Sequence, residues 1–141
     1  MKRYSFLDTV MIVNGVEIVG WDEGDDVITI TRLNDSISHK VGAAGEMMIS
    51  VSGDKSGSFK FKLQQTSSSN AMLSAMLALQ EAAGSDFVAT NCLFQDTYRQ
   101  DLAIGTVGYI KKPADMTRGK QGQTQEWEII TERLDLLFGD V

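Results

Sequence analysis

Residues Gly57 to Gly84 read GSFKFKLQQTSSSNAMLSAMLALQEAAG, and the two halves of this stretch carry different periods. Phe59, Phe61 and Leu63 alternate with Lys60, Lys62 and Gln64, the period-2 pattern of a strand with one buried face. A polar break follows at Thr66-Ser67-Ser68-Ser69, where Ser67 or Ser69 can accept from the free N–H groups of a helix start. The spacing then predicts a helix over about 69–83, stopped by Gly84. Met72, Ala75, Met76, Leu79 and Ala83 form one apolar stripe on it, and Leu73 and Leu77 form a second beside it. No charge occurs from Leu63 to Gln80. A surface helix with one solvated face keeps charges there, so this helix is expected to be covered twice, by its own sheet and by another subunit.

Working outward, strand signals dominate. Arg3–Leu7 reads as a short strand, and Thr9–Val13 as a β-branched one. Asn14-Gly15 is a two-residue hairpin signal, with a return strand over Val16–Trp21. Val27–Leu33 is a further strand. Met47–Val51 is strand-like, but Ser36–Gly45 is polar and glycine-containing, so 34–57 reads as a projecting arm or hairpin. Beyond the helix, Asp86–Phe94, Leu102–Lys111 and Gln125–Leu134 are strands. Gly105 and Gly108 inside the second suggest a bulge or a close backbone approach. Asp135–Val141 reads equally as a helical turn or a strand extension. The expected fold class is mainly β, a β-sandwich or barrel of about eight strands with one flanking α-helix, in a single domain over 1–141.

Composition narrows the function. The chain has 141 residues, enough for one core, with 43% hydrophobic and 23% charged residues. No apolar run approaches the ~20 residues of a membrane span, and Asp8 interrupts any leader-like apolar segment, so no membrane partner is expected. One cysteine excludes an internal disulfide. A net charge of −6 argues against nucleic-acid affinity, although not against a surface along which DNA moves without sticking.

No catalytic constellation emerges. His39 is the only histidine and lies in the polar arm, which leaves no histidine-based metal cluster and no triad elsewhere. Cys92 sits in an apolar strand and reads as a buried structural thiol. Asp22-Glu23-Gly24-Asp25-Asp26 lacks the ligand spacing of a calcium loop. The chain is therefore read as a non-enzyme with no catalytic, cofactor or metal residues. Its candidate residues are interface residues. Met47 and Met48 suit an adaptable contact, and Leu73 and Leu77 suit a helix packed between subunits. Asp22, Glu23, Asp25 and Asp26 form an acidic tip, while Lys111, Lys112, Arg118 and Lys120 form a basic loop. If tip and loop lie at opposite ends of the domain, copies could stack head to tail; otherwise they are two unrelated solvated loops.

Several stretches together resemble bacteriophage tail tube proteins of long-tailed, chiefly contractile phages. These are Tyr4-Ser5-Phe6-Leu7-Asp8 before a β-branched strand, and Gly42-Ala43-Ala44-Gly45-Glu46-Met47-Met48. Next comes Lys55-Ser56-Gly57 with the strand to Leu63, then Thr66-Ser67, Asn70 and Leu73-Ser74. Lys111-Lys112-Pro113 and Glu126-Trp127-Glu128 complete the set. Each piece is short; their order and spacing carry the likeness over nearly the whole chain. It departs from the pattern at 22–26 and at Asn34–Lys40. The resemblance implies a fold similar to the tube protein of type VI secretion. It also implies hexameric rings whose sheets join around a lumen, stacked through the 34–57 arm into a tube that conducts DNA during ejection. The implied partners are further copies of the chain and the sheath, tape measure, baseplate and tail terminator proteins. DNA would pass without specific binding, and the protein would sit in the virion tail after assembly in the host cytoplasm. A tail terminator or baseplate ring protein of the same fold is the nearest alternative, and a monomeric ligand-binding β-barrel a more distant one.

Overall fold

The computed structural model describes residues 3–84 and 89–139. Its nine strands are β1 (Thr9–Val13), β2 (Val16–Glu17), β3 (Ile28–Arg32), β4 (Ile37–Val41), β5 (Met47–Val51), β6 (Gly57–Gln64), β7 (Thr90–Asp96), β8 (Asp101–Ile110) and β9 (Thr124–Leu137), with one helix, α1 (Ser68–Ala83). Seven strands form one antiparallel sheet in the order β2-β1-β7-β8-β9-β6-β3, and β4 and β5 pair as a separate two-stranded ribbon.

The alternation in β6 sets the core. Phe59, Phe61 and Leu63 are fully buried, and they join Met11 and Val13 of β1, Trp127 and Ile129 of β9, and Leu73 and Leu77 of α1 in one apolar cluster. Side chains from both ends of the sheet share this core because the sheet curls. The chain from Ile18 to Asp22 ties its ends together. Ile18 N–H donates to Met11 O at 2.9 Å, Gln64 N–H to Gly20 O at 2.9 Å, and Asp22 N–H to Lys62 O at 3.1 Å. The mainly β, single-helix fold expected from the periodicities is the one observed.

Several local expectations change. Arg3–Leu7 is not a strand: Phe6–Asp8 form a 3-10 turn capped by Ser5, whose hydroxyl accepts the Leu7 N–H at 3.2 Å. The return strand after the Asn14-Gly15 turn stops at Glu17, since Ile18–Trp21 must cross to β6. Part of the expected Asp86–Phe94 strand lies outside the described residues, and β7 starts at Thr90. The ambiguous tail is a strand extension as far as Leu137. Gly105 and Gly108 flank a bulge: Thr90 pairs with Gly108 but Cys92 pairs with Gly105, so β8 carries one extra residue there. That slack places Val107 at φ 55°, a strained setting for a β-branched residue, with its N–H held by Asn91 Oδ1 at 3.2 Å.

Candidate assembly surfaces

The helix is clamped to the sheet by its polar residues. Ser67 accepts the Ser69 N–H at 3.1 Å as N-cap and donates to Val19 O at 2.5 Å. Asn70 accepts from Trp127 Nε1 at 3.0 Å, and near the other end Gln80 Oε1 accepts from Thr90 Oγ1 at 2.9 Å and from Ile110 N–H at 3.1 Å. These bonds fix which stripe faces inward. Leu73 and Leu77 are buried in the chain's own core, so the inter-subunit role expected of them is corrected: their side chains are spent on the monomer. The outer face instead presents Ala71, Ser74, Ala75, Ala78, Ala82 and Leu79, the last 72% exposed, with Glu81 as its one charge.

The β4–β5 ribbon is exposed along both strands. Its register pairs Ile37 with Val51, His39 with Ile49 and Val41 with Met47. Directly opposed residues share a face, and neighbours along a strand alternate. One face therefore carries Ile37, His39, Val41, Met47, Ile49 and Val51, and the other carries Ser38, Lys40, Met48 and Ser50. Met47 and Met48 lie on opposite faces, at 62% and 66% exposure. The polar composition of Ser36–Gly45 hid β4; the cross-strand register reveals the apolar face.

The root of the ribbon is clasped by polar groups. Asn34 Nδ2 donates to Asp54 Oδ2, Ser52 N–H donates to Ser36 O at 2.8 Å, and Arg32 reaches both Ser36 Oγ, at 3.0 Å, and Leu134 O. The Ser56 backbone N–H, 2.9 Å from Asp54 Oδ1, leads the hydrogen bonds that hold the Asp54 carboxyl below the usual carboxylate value.

The acidic tip and the basic loop are not at opposite ends. Asp22, Glu23, Asp25 and Asp26 line the same groove of about 510 Å³ as Lys112, Asp115, Glu126 and Glu128. The antiparallel pairing of β6 with β9 brings the two loops together, and Thr124 Oγ1 donates to Asp22 Oδ2 across them. Basic residues are partly engaged locally: Lys111 pairs with Glu128 at 3.5 Å and Lys112 with Asp115 at 3.8 Å, while Arg118 donates to Thr117 O at 2.9 Å and Lys120 is exposed. This geometry removes the premise of the head-to-tail charge contact.

A smaller groove, about 200 Å³, is apolar and lies beside β3, lined by Ile28, Ile30, Phe94, Leu102, Leu136 and Phe138 among others. Cys92 is buried, and burial pushes its thiol up to about 12, which leaves it protonated and inert. Among the described residues no group of three or more His, Cys, Asp or Glu is placed to hold a metal ion. No helix in them is long and apolar enough to cross a membrane.

No curated protein sequence matches the chain. Among solved structures, the chain is similar to the anti-feeding prophage cap (AFP tube terminating cap), with a TM-score of 0.67 at 8% identity, covering 99% of this chain and 93% of that one. At that identity the likeness is one of fold. The family model described as bacteriophage PhiTE tail tube protein matches residues 1–139. The chain belongs to that tail tube family, as a structural protein of the phage virion tail and not an enzyme.

Proposed function

We propose that the chain self-assembles into hexameric rings that stack to form the tail tube, the conduit for DNA during ejection. The observation that carries this reading is the β4–β5 ribbon at 34–57, an exposed hairpin with one apolar face and no partner strand beyond its own pair among the described residues. A two-stranded ribbon is marginal in water by itself, so a docking partner would supply most of its stability. The bare outer face of α1 is a second uncovered surface, suited to a neighbour in the ring. The sheet ends at β2 on one side and β3 on the other, and edges of this kind are closed when the next subunit continues the sheet.

The charge pattern suits a conduit. On the outward face of β6 and β9, Lys60 lies opposite Glu128 and Lys62 opposite Glu126, and Lys111 also pairs with Glu128. Carboxylates set opposite these lysines lower the local positive potential that would hold phosphate, and the chain carries a net charge of −6. The proposed partners are other copies and the sheath, tape measure, baseplate and terminator proteins. DNA passes without specific binding, and assembly takes place in the host cytoplasm.

Negative-stain electron microscopy of the purified chain, with light scattering on the same sample, tests the reading. Rings or hollow tubes of uniform width are expected; a strictly monomeric chain at every concentration and ionic strength overturns self-assembly. The likeness to a tube terminating cap favours one second reading, a terminator that forms rings without polymerising. Single rings that never stack would favour it.

A further inference from the structure

We propose that the apolar face of the β4–β5 ribbon of one copy docks into the apolar groove beside β3 of an adjoining copy, with Met47 and Ile49 entering it. The proposal rests on the tube reading above and names the contact through which copies would join. All ten residues of the two strands are exposed, so the chain does not seat the ribbon in its own groove. The docking face, centred on Val41, Met47 and Ile49, carries no formal charge when His39 is neutral.

The groove offers the matching chemistry. Ile28, Ile30, Phe94 and Leu136 line it and pack against the core behind them, and Phe138 stands at its rim, 86% exposed. Its volume of about 200 Å³ falls below the roughly 300–1,000 Å³ of small-molecule sites and suits one or two aliphatic side chains. It opens along β3, where the sheet has no further strand. The one titratable residue lining the groove, Asp101, is held within its own chain, its Oδ1 accepting the Gly139 N–H at 2.7 Å. Ribbon and groove are different surfaces of one chain, so the contact is heterologous and repeats from copy to copy.

Cysteine crosslinking tests the contact in the full chain. The native thiol at Cys92 is buried, so Met47→Cys and Phe138→Cys chains each present one reactive thiol. Mixed under assembly conditions and treated with a short bismaleimide, they are expected to give a covalent dimer of one chain of each kind. Met47→Cys mixed with Leu79→Cys is expected to give none. In parallel, Met47→Glu should abolish assembly, while Met48→Glu, on the opposite face, should leave it within a few-fold of the unmodified chain. Tubes that form without the Met47–Phe138 crosslink, or with a Met47–Leu79 crosslink instead, overturn the contact and leave the tube reading standing. So does equal sensitivity of assembly to the two glutamate substitutions. An unmodified chain that forms neither rings nor tubes overturns both together.

Discussion

The Ser69 hydroxyl accepts the Val19 N–H at 3.0 Å, joining residues fifty positions apart. Ser67, two residues earlier, donates to the carbonyl of the same Val19. Both backbone groups of one residue are thus satisfied by the first turn of α1, just where the chain crosses from β1 to β6. Gly20 follows because the approach is close: a Cβ there would come 2.5 Å from Ser67 Cβ, and its φ is +77°. Removing the Ser69 hydroxyl leaves the Val19 N–H without its partner in a part-buried place. Ser69→Ala is expected to destabilise the chain by about 1–3 kcal/mol in urea unfolding of the monomer.

The two sides of α1 should respond oppositely. Leu73→Ala empties a fully buried site and should cost about 2–5 kcal/mol of stability. Leu79→Ala, on the bare outer face, should change stability by less than about 0.5 kcal/mol but weaken assembly, because that face is proposed to meet a neighbour. Thermal melts and light scattering on both variants separate the effects; a strongly destabilised Leu79→Ala would contradict the outward placement.

Val107 carries strain at the β8 bulge with φ 55°. Glycine has no Cβ to clash in this region, and relief of strain of about 1–3 kcal/mol outweighs the roughly 0.5–1 kcal/mol that glycine loses in chain entropy. Val107→Gly is expected to be neutral or stabilising by up to about 2 kcal/mol, a result checked by its denaturation midpoint.

The ribbon root should loosen in acid. The folded-state carboxyl of Asp54 is held below its ordinary value, first by the Ser56 backbone N–H and then by the Ser56 and Asn34 side chains. A depressed folded value means stabilisation that is present above the unfolded value and lost as pH falls through the folded one. Amide exchange at Ser56 and Ser52 should therefore be pH-corrected and slow at neutrality, then speed up below about pH 4. Asp54→Asn should remove that acid transition; an unchanged transition in Asp54→Asn would assign it to another group.

Sequence and structure agree where short-range patterns suffice. The alternation Phe59, Phe61, Leu63 is β6, and the uncharged run after Ser67 is α1, because period and capping are local properties. The Asn14-Gly15 turn is where it was expected, with φ of 51° and 81°. The Ile37–Val41 strand escaped notice because His39 and Lys40 make it look polar. Only its pairing with Met47–Val51 lines up an apolar face.

The amino-acid sequence by itself determined the class of the fold, its single helix and the family likeness, since these rest on periodicity and on the order of short motifs. Tertiary structure alone decided which surfaces remain free. Met72 and Leu73 are adjacent on an α-helix and differ in direction by about 100°. Only the sheet beneath, clamped through Asn70 and Gln80, selects Leu73 for the core and leaves Leu79 outside. Likewise Asp22 and Lys112 are ninety residues apart in the chain, yet they line one groove because β6 pairs antiparallel with β9. Local patterns describe how a segment presents its side chains; what covers them is settled by contacts between segments far apart in sequence.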